Sequence, residues 1–164
     1  DLINWVGCDA TRYFLIARAA SSQLSFDIDL ALSQTNENPV YYIQYAHARC
    51  CSIEKKALGI SPHWSPEDGL DHLNLLEETE ALVLSMNLGR FPEVIQTAAD
   101  NLEPHDLANY LREIASLFHS FYNAHKILGL DESISLARLT LVSATRQVIA
   151  NGLSLLGISA PKRM

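Results

Sequence analysis

A long amphipathic helix is specified more clearly than any other element of this 164-residue sequence. Asn38 is a typical N-cap, and Pro39 suits the first helical position because an N–H group there would have no partner inside the helix. Gly59, after Leu58, is a plausible helix stop. Between these signals apolar residues recur at the spacing of one helix face: Ile43, Ala46, Cys50, Ile53 and Ala57. The fold must therefore bury one side of this helix.

Most of the remaining chain also has helical periodicity. The patterns predict helices over residues 9–20, 67–86, 103–128 and 134–156, and a further helix that begins at Phe91-Pro92. In the acidic amphipathic helix over 67–86 the side chains expected to face inward are Leu73, Leu76, Leu82 and Val83. Residues 24–30 alternate apolar with polar and fit either a short extended piece or the entry to a turn. Since strand signals are this thin, the sequence predicts an all-α fold, a helical bundle.

Composition excludes several classes of protein. An apolar fraction of 48% with 19% charged residues excludes a disordered tail. We expect no signal peptide, because the first residues lack a basic stretch followed by an apolar one, and no membrane span, because no apolar run approaches ~20 residues. Three cysteines without metal-ligand spacing predict no disulfide framework, no metal site and a reducing, cytoplasmic location. Because the chain opens at Asp1 and runs at once into apolar sequence, we expect it to be a piece of a longer protein.

Charge is distributed unevenly along the chain. The formal net charge is −7, which argues against a general nucleic-acid binder and against DNA as a partner. Residues 1–60 carry a balance of −1, residues 61–113 carry −9 and residues 114–164 carry +3. Any anionic partner must therefore be met locally, by the two less acidic ends of the chain.

A search for enzymatic machinery finds none. The sequence has no glycine-rich phosphate loop, no nucleophile elbow and no paired histidines or cysteines at metal-ligand spacing. Cys50 and Cys51 are adjacent and point about 100° apart on a helix, so they cannot share a metal ion. The acidic cluster Glu77, Glu78 and Glu80 is best interpreted as a solvated face. We therefore predict no catalytic residue in this chain.

The helix that begins at Pro39 has a second stripe, about 100° round from the apolar one. This stripe presents two aromatic rings, a guanidinium group, a hydroxyl and an ammonium group: Tyr42, Tyr45, Arg49, Ser52 and Lys56. Such a face suits an unstacked base and its phosphate, because rings stack on bases while Arg and Lys meet base edges and backbone. Alternatively, the tyrosines simply cover the edge of the core with their hydroxyls in water.

The sequence resembles the C-terminal, DALR-type anticodon-binding domain of arginyl-tRNA synthetases, which are class I synthetases. The match is specific in residues 38–49, Asn-Pro-Val-Tyr-Tyr-Ile-Gln-Tyr-Ala-His-Ala-Arg, and in the tail that ends Pro-Lys-Arg-Met. Residues 6–15 and 24–30 are similar to the stretch that joins the family's catalytic domain to this one. The resemblance therefore divides the chain into a junction segment, residues 1–37, and a helical anticodon-binding domain, residues 38–164.

The resemblance implies a partner and a set of site residues. Members of this family hold the anticodon loop of the arginine tRNA and chiefly read its middle cytosine. The positions that match the family's tRNA-binding residues are Tyr42, Tyr45, Arg49, Lys55, Tyr122 and Met164, and Lys56 joins them from the second stripe. A cytosine presents an amino donor, so its pocket needs a fixed acceptor, which the terminal carboxylate or a main-chain carbonyl can supply if the chain ends at Met164. Four basic residues are expected to meet loop phosphates: Arg138, Arg146, Lys162 and Arg163.

The resemblance also implies that catalysis belongs to another domain of a longer parent protein. Arginine–tRNA ligases attach arginine to its tRNA with ATP, bound with Mg²⁺ in a separate catalytic domain. The HIGH-like and KMSKS-like motifs of that domain are absent here, so this chain should bind tRNA without catalysis and without a cofactor of its own. The parent is expected to be a cytoplasmic monomer. Two alternatives stay open: the helical domain of another class I synthetase, such as the cysteinyl enzyme, or a protein–protein interaction module that uses the acidic middle.

Overall fold

The structure, a computed structural model, describes residues 1–23 and 25–164. Within this part of the chain it contains eight α-helices, one 3-10 helix and no β-strand, so the all-α prediction is confirmed. None of the described helices combines the length and hydropathy needed to cross a bilayer. The helices are α1 (Leu2–Val6), α2 (Cys8–Ile16), α3 (Ile28–Leu32), α4 (Pro39–Ile60), the 3-10 helix (Pro66–Leu75), α5 (Thr79–Gly89), α6 (Phe91–Asp100), α7 (His105–Ala124) and α8 (Glu132–Leu155).

Helix α4 begins as the sequence predicts and supplies much of the core. The Asn38 side chain accepts a hydrogen bond from the Tyr41 amide and donates to the Ala31 and Ser33 carbonyls, so it both caps α4 and ties it to the end of α3. The five residues of the apolar stripe are no more than 5% exposed. They pack against α2, α7 and α8, which leaves the second stripe of α4 at the edge of the core.

The single acidic helix predicted over residues 67–86 is wrong. The structure has two elements there, the 3-10 helix and α5, separated by residues 76–78. Leu76 is buried as predicted, but Leu73, Leu82 and Val83 are 37–46% exposed. The apolar face of α5 is instead built from Ala81, Leu84 and Leu88.

Close packing of main chain explains this difference. The 3-10 helix lies against α8, and a Cβ atom at Gly69 would overlap the Leu136 carbonyl and the Thr140 side chain. The Thr140 hydroxyl donates to the Pro66 carbonyl at 2.6 Å. This segment is therefore held by backbone approach to α8 rather than by an apolar stripe, and hydrophobic periodicity does not report such contacts.

The first predicted helix, residues 9–20, is shorter than expected. Helix α2 ends at Ile16 instead of near residue 20. Within the ambiguous segment 24–30 the structure begins α3 after Asp27, whose side chain accepts from the Leu30 amide at 2.9 Å, while Leu24 lies outside the described residues. Helix α2 packs on α4 and α7. The division of the chain between residues 37 and 38 stays a prediction.

Candidate nucleic-acid interface

Aromatic and cationic side chains of α4 and α7 meet at one place. The Arg49 guanidinium carbon lies 4.9 Å from the centroid of the Tyr45 ring and 4.7 Å from that of the Tyr122 ring. Its Nη2 donates to the Tyr45 hydroxyl. The guanidinium group thus contacts one ring from each helix, a cation–π arrangement that holds all three side chains in a fixed geometry.

These side chains border an open pocket of about 300 Å³. Five of the seven predicted site residues line it: Tyr45, Arg49, Lys56, Tyr122 and Met164. Lys162 and Arg163, from the C-terminal tail, line it as well, and Ser52 and Ile53 form part of its wall. The fold therefore brings one face of α4, the end of α7 and the last three residues of the chain to one concave surface.

The two other predicted residues, Tyr42 and Lys55, do not line this pocket. The ring centroid of Tyr42 lies 4.7 Å from that of His119, so this tyrosine packs against α7. Lys55 is exposed on α4. The binding roles of both residues stay predictions.

His119 is a neighbour of the site that the sequence analysis missed. Its ring packs against Tyr42 and stacks on Tyr45, with a centroid distance of 5.6 Å and an interplanar angle of 25° to the latter. Burial lowers the pKa of His119, the main-chain hydrogen bond with Tyr42 opposes this, and the nearby Arg49 cation lowers the pKa further. The imidazole is therefore neutral at physiological pH and acts as a support for the tyrosines. The available signal was its place one turn before Tyr122 on the same helix face.

Two arginines expected to meet phosphates are paired with acidic residues of the protein itself. Arg138 is only 9% exposed and donates to the Glu78 carboxylate and the Lys126 carbonyl. Arg146 lies 2.8 Å from a carboxylate oxygen of Glu54. The prediction for Arg138 is wrong, because its buried guanidinium links α8 to the residue before α5 and to the segment after α7. Arg146 is paired with the Glu54 carboxylate. The free positive charge at the pocket comes from α4 and the tail.

The pocket has the chemistry to hold a planar, polar group that is attached to an anionic backbone. Its volume is near the lower end of the range for small-ligand sites. Tyr45 and Tyr122 supply aromatic surface, Arg49 supplies planar donors, and Lys56 supplies a mobile positive charge. Lys162, Arg163 and Met164 of the tail also line the pocket, and the main chain of each residue carries a carbonyl acceptor. This combination of stacking surface, donors, acceptors and local positive charge is typical of a site for a single splayed nucleotide.

Comparison with known proteins gives the family. Residues 43–164, well over half of the chain, match the sequence profile of the DALR anticodon binding domain. The chain belongs to the DALR anticodon-binding domain family. The segment matched contains the whole pocket, from Tyr45 on α4 to Met164 at the tail.

Individual relatives of this DALR domain are arginine–tRNA ligases. The chain is 52% identical to the arginine–tRNA ligase of Bordetella petrii and 49% identical to that of Delftia acidovorans, over its full length in both comparisons. It spans only 28% of the length of either relative. Among solved structures, Thermus thermophilus arginyl-tRNA synthetase superimposes with a TM-score of 0.81 at 32% identity, covering 98% of this chain and 27% of that one. The resemblance found in the sequence is confirmed.

Proposed function

We propose that this DALR domain binds the anticodon loop of the arginine tRNA and holds its middle cytosine in the pocket between α4, α7 and the tail. The observation that carries the proposal is the convergence of Tyr45, Arg49, Tyr122 and Met164 on one open surface. The tyrosine rings offer stacking surface for the base. The tail main chain offers acceptors for the amino group of cytosine. Uracil carries a carbonyl oxygen at that position, which cannot donate to them.

We further propose that the domain works within an arginine–tRNA ligase that attaches arginine to this tRNA at the expense of ATP. The support is the name shared by relatives about 50% identical to the chain, which also favours arginine over the cysteinyl alternative. ATP and its Mg²⁺ would be bound by the remainder of such a protein, since this sequence has no phosphate-binding loop. A cytoplasmic, monomeric parent stays part of the proposal.

The test is binding of fluorescently labelled anticodon stem-loops to the chain at low salt, followed by anisotropy. The arginine stem-loop should bind. A stem-loop in which uracil replaces the middle cytosine should lose the preferential binding that the arginine stem-loop shows. Tyr122→Ala should weaken binding about 5- to 150-fold, since stacking is worth roughly 1–3 kcal/mol per base. The matched control, Tyr122→Phe, keeps the ring and should bind nearly as well as the wild type.

Two results would contradict the proposal. Equal binding of stem-loops regardless of the middle base would remove the decoding role. No binding at high protein concentration would leave the protein–protein interaction module as the remaining interpretation of this helical surface.

A further inference from the structure

The C-terminal tail reaches the pocket as an irregular segment. Helix α8 ends at Leu155, and Gly157, with φ of 67°, turns the chain back. A side chain at this position would be strained, and its Cβ would overlap the Arg12 guanidinium, whose Nε donates to the Leu156 carbonyl at 3.0 Å. Ile158 is buried and anchors the start of the tail in the core. From there to the pocket the main chain is not helical.

Side chains of two helices bind this segment through a network centred on Ser159. The Asp9 carboxylate, from α2, accepts hydrogen bonds from the Ser159 amide, at 3.1 Å, and from its hydroxyl. The Gln44 amide, from α4, donates to the Ser159 carbonyl and to Asp9, each at 2.9 Å. Gln44 is 9% exposed, so its polar group depends on these partners for hydrogen bonding. The main chain of the tail is thereby fixed between α2 and α4.

His47 makes a second attachment one turn further along α4. Its Nδ1 lies 2.9 Å from the Pro161 carbonyl oxygen. A carbonyl oxygen only accepts, so this ring nitrogen carries the proton. His47 is 3% exposed, and burial lowers its pKa, so the neutral ring with hydrogen on Nδ1 is the form present near pH 7. This bond holds the residue that immediately precedes Lys162.

The residues of α4 that bind the tail lie next to the residues of α4 that line the pocket. Gln44 and His47 lie three apart on α4, and Tyr45 and Arg49, which line the pocket, are their near neighbours on the same helix. The tail residues that line the pocket follow directly after Pro161. Helix α4 thus supplies Tyr45 and Arg49 to the pocket and also fixes the position of the tail residues that line it.

We propose that Asp9, Gln44 and His47 are positioning residues for the cytosine pocket: they fix the tail so that its main-chain acceptors discriminate the bound base. The inference rests on the proposed function, in which the tail contacts that base. None of the three side chains lines the pocket. They act through the tail, so their loss should erase discrimination between bases while stacking and phosphate contacts still support binding.

The test compares binding of arginine stem-loops with middle cytosine and middle uracil in a variant series. Wild type should prefer cytosine by at least about tenfold, the scale of a good polar base contact. His47→Ala should reduce this preference to within about threefold. His47→Asn, whose amide nitrogen can take the place of Nδ1, should restore most of the preference, whereas His47→Gln, which places its donor further out, should not. Amide hydrogen exchange should show faster exchange of the Ser159 N–H in the Ala variant.

A stability control separates positioning from a merely structural role. Ile149→Val removes a buried methyl group from a residue of α8 that takes no part in the hydrogen bonds holding the tail, and should lower Tm while leaving the preference for cytosine unchanged. If His47→Ala prevents folding, Asp9→Ala, at a half-buried position on α2, takes its place in the comparison. Retention of the cytosine preference by His47→Ala, or by Asp9→Ala in its stead, would overturn the inference and leave the proposed function standing. A wild-type chain with no preference would overturn both.

Discussion

Arg49 joins the two helices of the pocket through its contacts with Tyr45 and Tyr122. Lysine in its place keeps the charge but loses the planar group that lies against both rings. Cation–π contacts are worth about 0.5–2 kcal/mol, so Arg49→Lys should weaken stem-loop binding by about 2- to 30-fold. Anisotropy titrations measure the change. Arg18→Lys, at an exposed arginine outside the pocket, is the matched control, and an equal loss in both variants would contradict a specific role for Arg49.

Tyr13 makes stability depend on pH at the alkaline end. Burial raises its pKa to about 12 from 10.0, with a smaller opposing effect of Arg112, and its hydroxyl donates to the Ala108 carbonyl at 3.3 Å. Because the folded pKa lies above the unfolded one, this stabilisation is complete below pH 10 and is lost as pH rises towards 12. Urea denaturation should show a steeper fall in the free energy of unfolding between pH 9.5 and 11 for the wild type than for Tyr13→Phe. Parallel curves would contradict this role.

Some site residues were predictable one by one and others were not. Tyr45, Arg49 and Lys56 follow from the helical wheel of α4, because side chains at this spacing share a face whatever the rest of the fold does. Tyr122 and Met164 came only from the family resemblance, since nothing local to them indicates a pocket. His119 was missed because its importance lies in contacts between helices, which spacing along one helix does not show.

At the scale of elements, the contact between the 3-10 helix and α8 depends on one glycine. Any side chain at Gly69 would overlap main chain of α8, which cannot yield as a flexible side chain can. Gly69→Ala should therefore destabilise the fold by about 1–3 kcal/mol, the usual range for overpacking. Gly59→Ala is the control: its Cβ would meet nothing within 4 Å on α4, and it should be neutral or stabilising by up to about 1 kcal/mol. Chemical denaturation measures both, and a harmless Gly69→Ala would contradict the packing argument.

The elements that were predicted correctly carry their own start signals. Pro39 and Pro92 mark helices that begin where expected, because proline in the first turn is a local feature, and α4 has the Asn38 cap as well. The segment 67–86 failed because backbone packing on α8 overrides its apolar periodicity. Signals within one element therefore predict its type and its start. Contact with α8 decides that the segment 67–86, with Gly69 in its first turn, forms two elements instead of one.

At the scale of the whole molecule, the charge distribution predicts the salt dependence of binding. The net charge is −7, yet the cations at the pocket include Lys56, Lys162 and Arg163. With about three phosphates neutralised, the logarithm of the binding constant should fall with the logarithm of salt concentration with a slope near −2. The double variant Lys162→Ala/Arg163→Ala should reduce the steepness by about 1.4, whereas Arg18→Ala/Arg112→Ala, at exposed positions outside the pocket, should not. Equal slopes in both doubles would contradict the local basic surface.

The proposed binding of the anticodon loop depends on α4, α7 and the tail forming one binding surface. The most direct measurement is a titration of the ¹⁵N-labelled chain with the arginine anticodon stem-loop, following backbone amide shifts residue by residue. We predict that the largest changes cluster in residues 45–56, around Tyr122 and in residues 157–164. Changes concentrated in the acidic segment, residues 61–113, with the pocket unaffected, would contradict the proposed function.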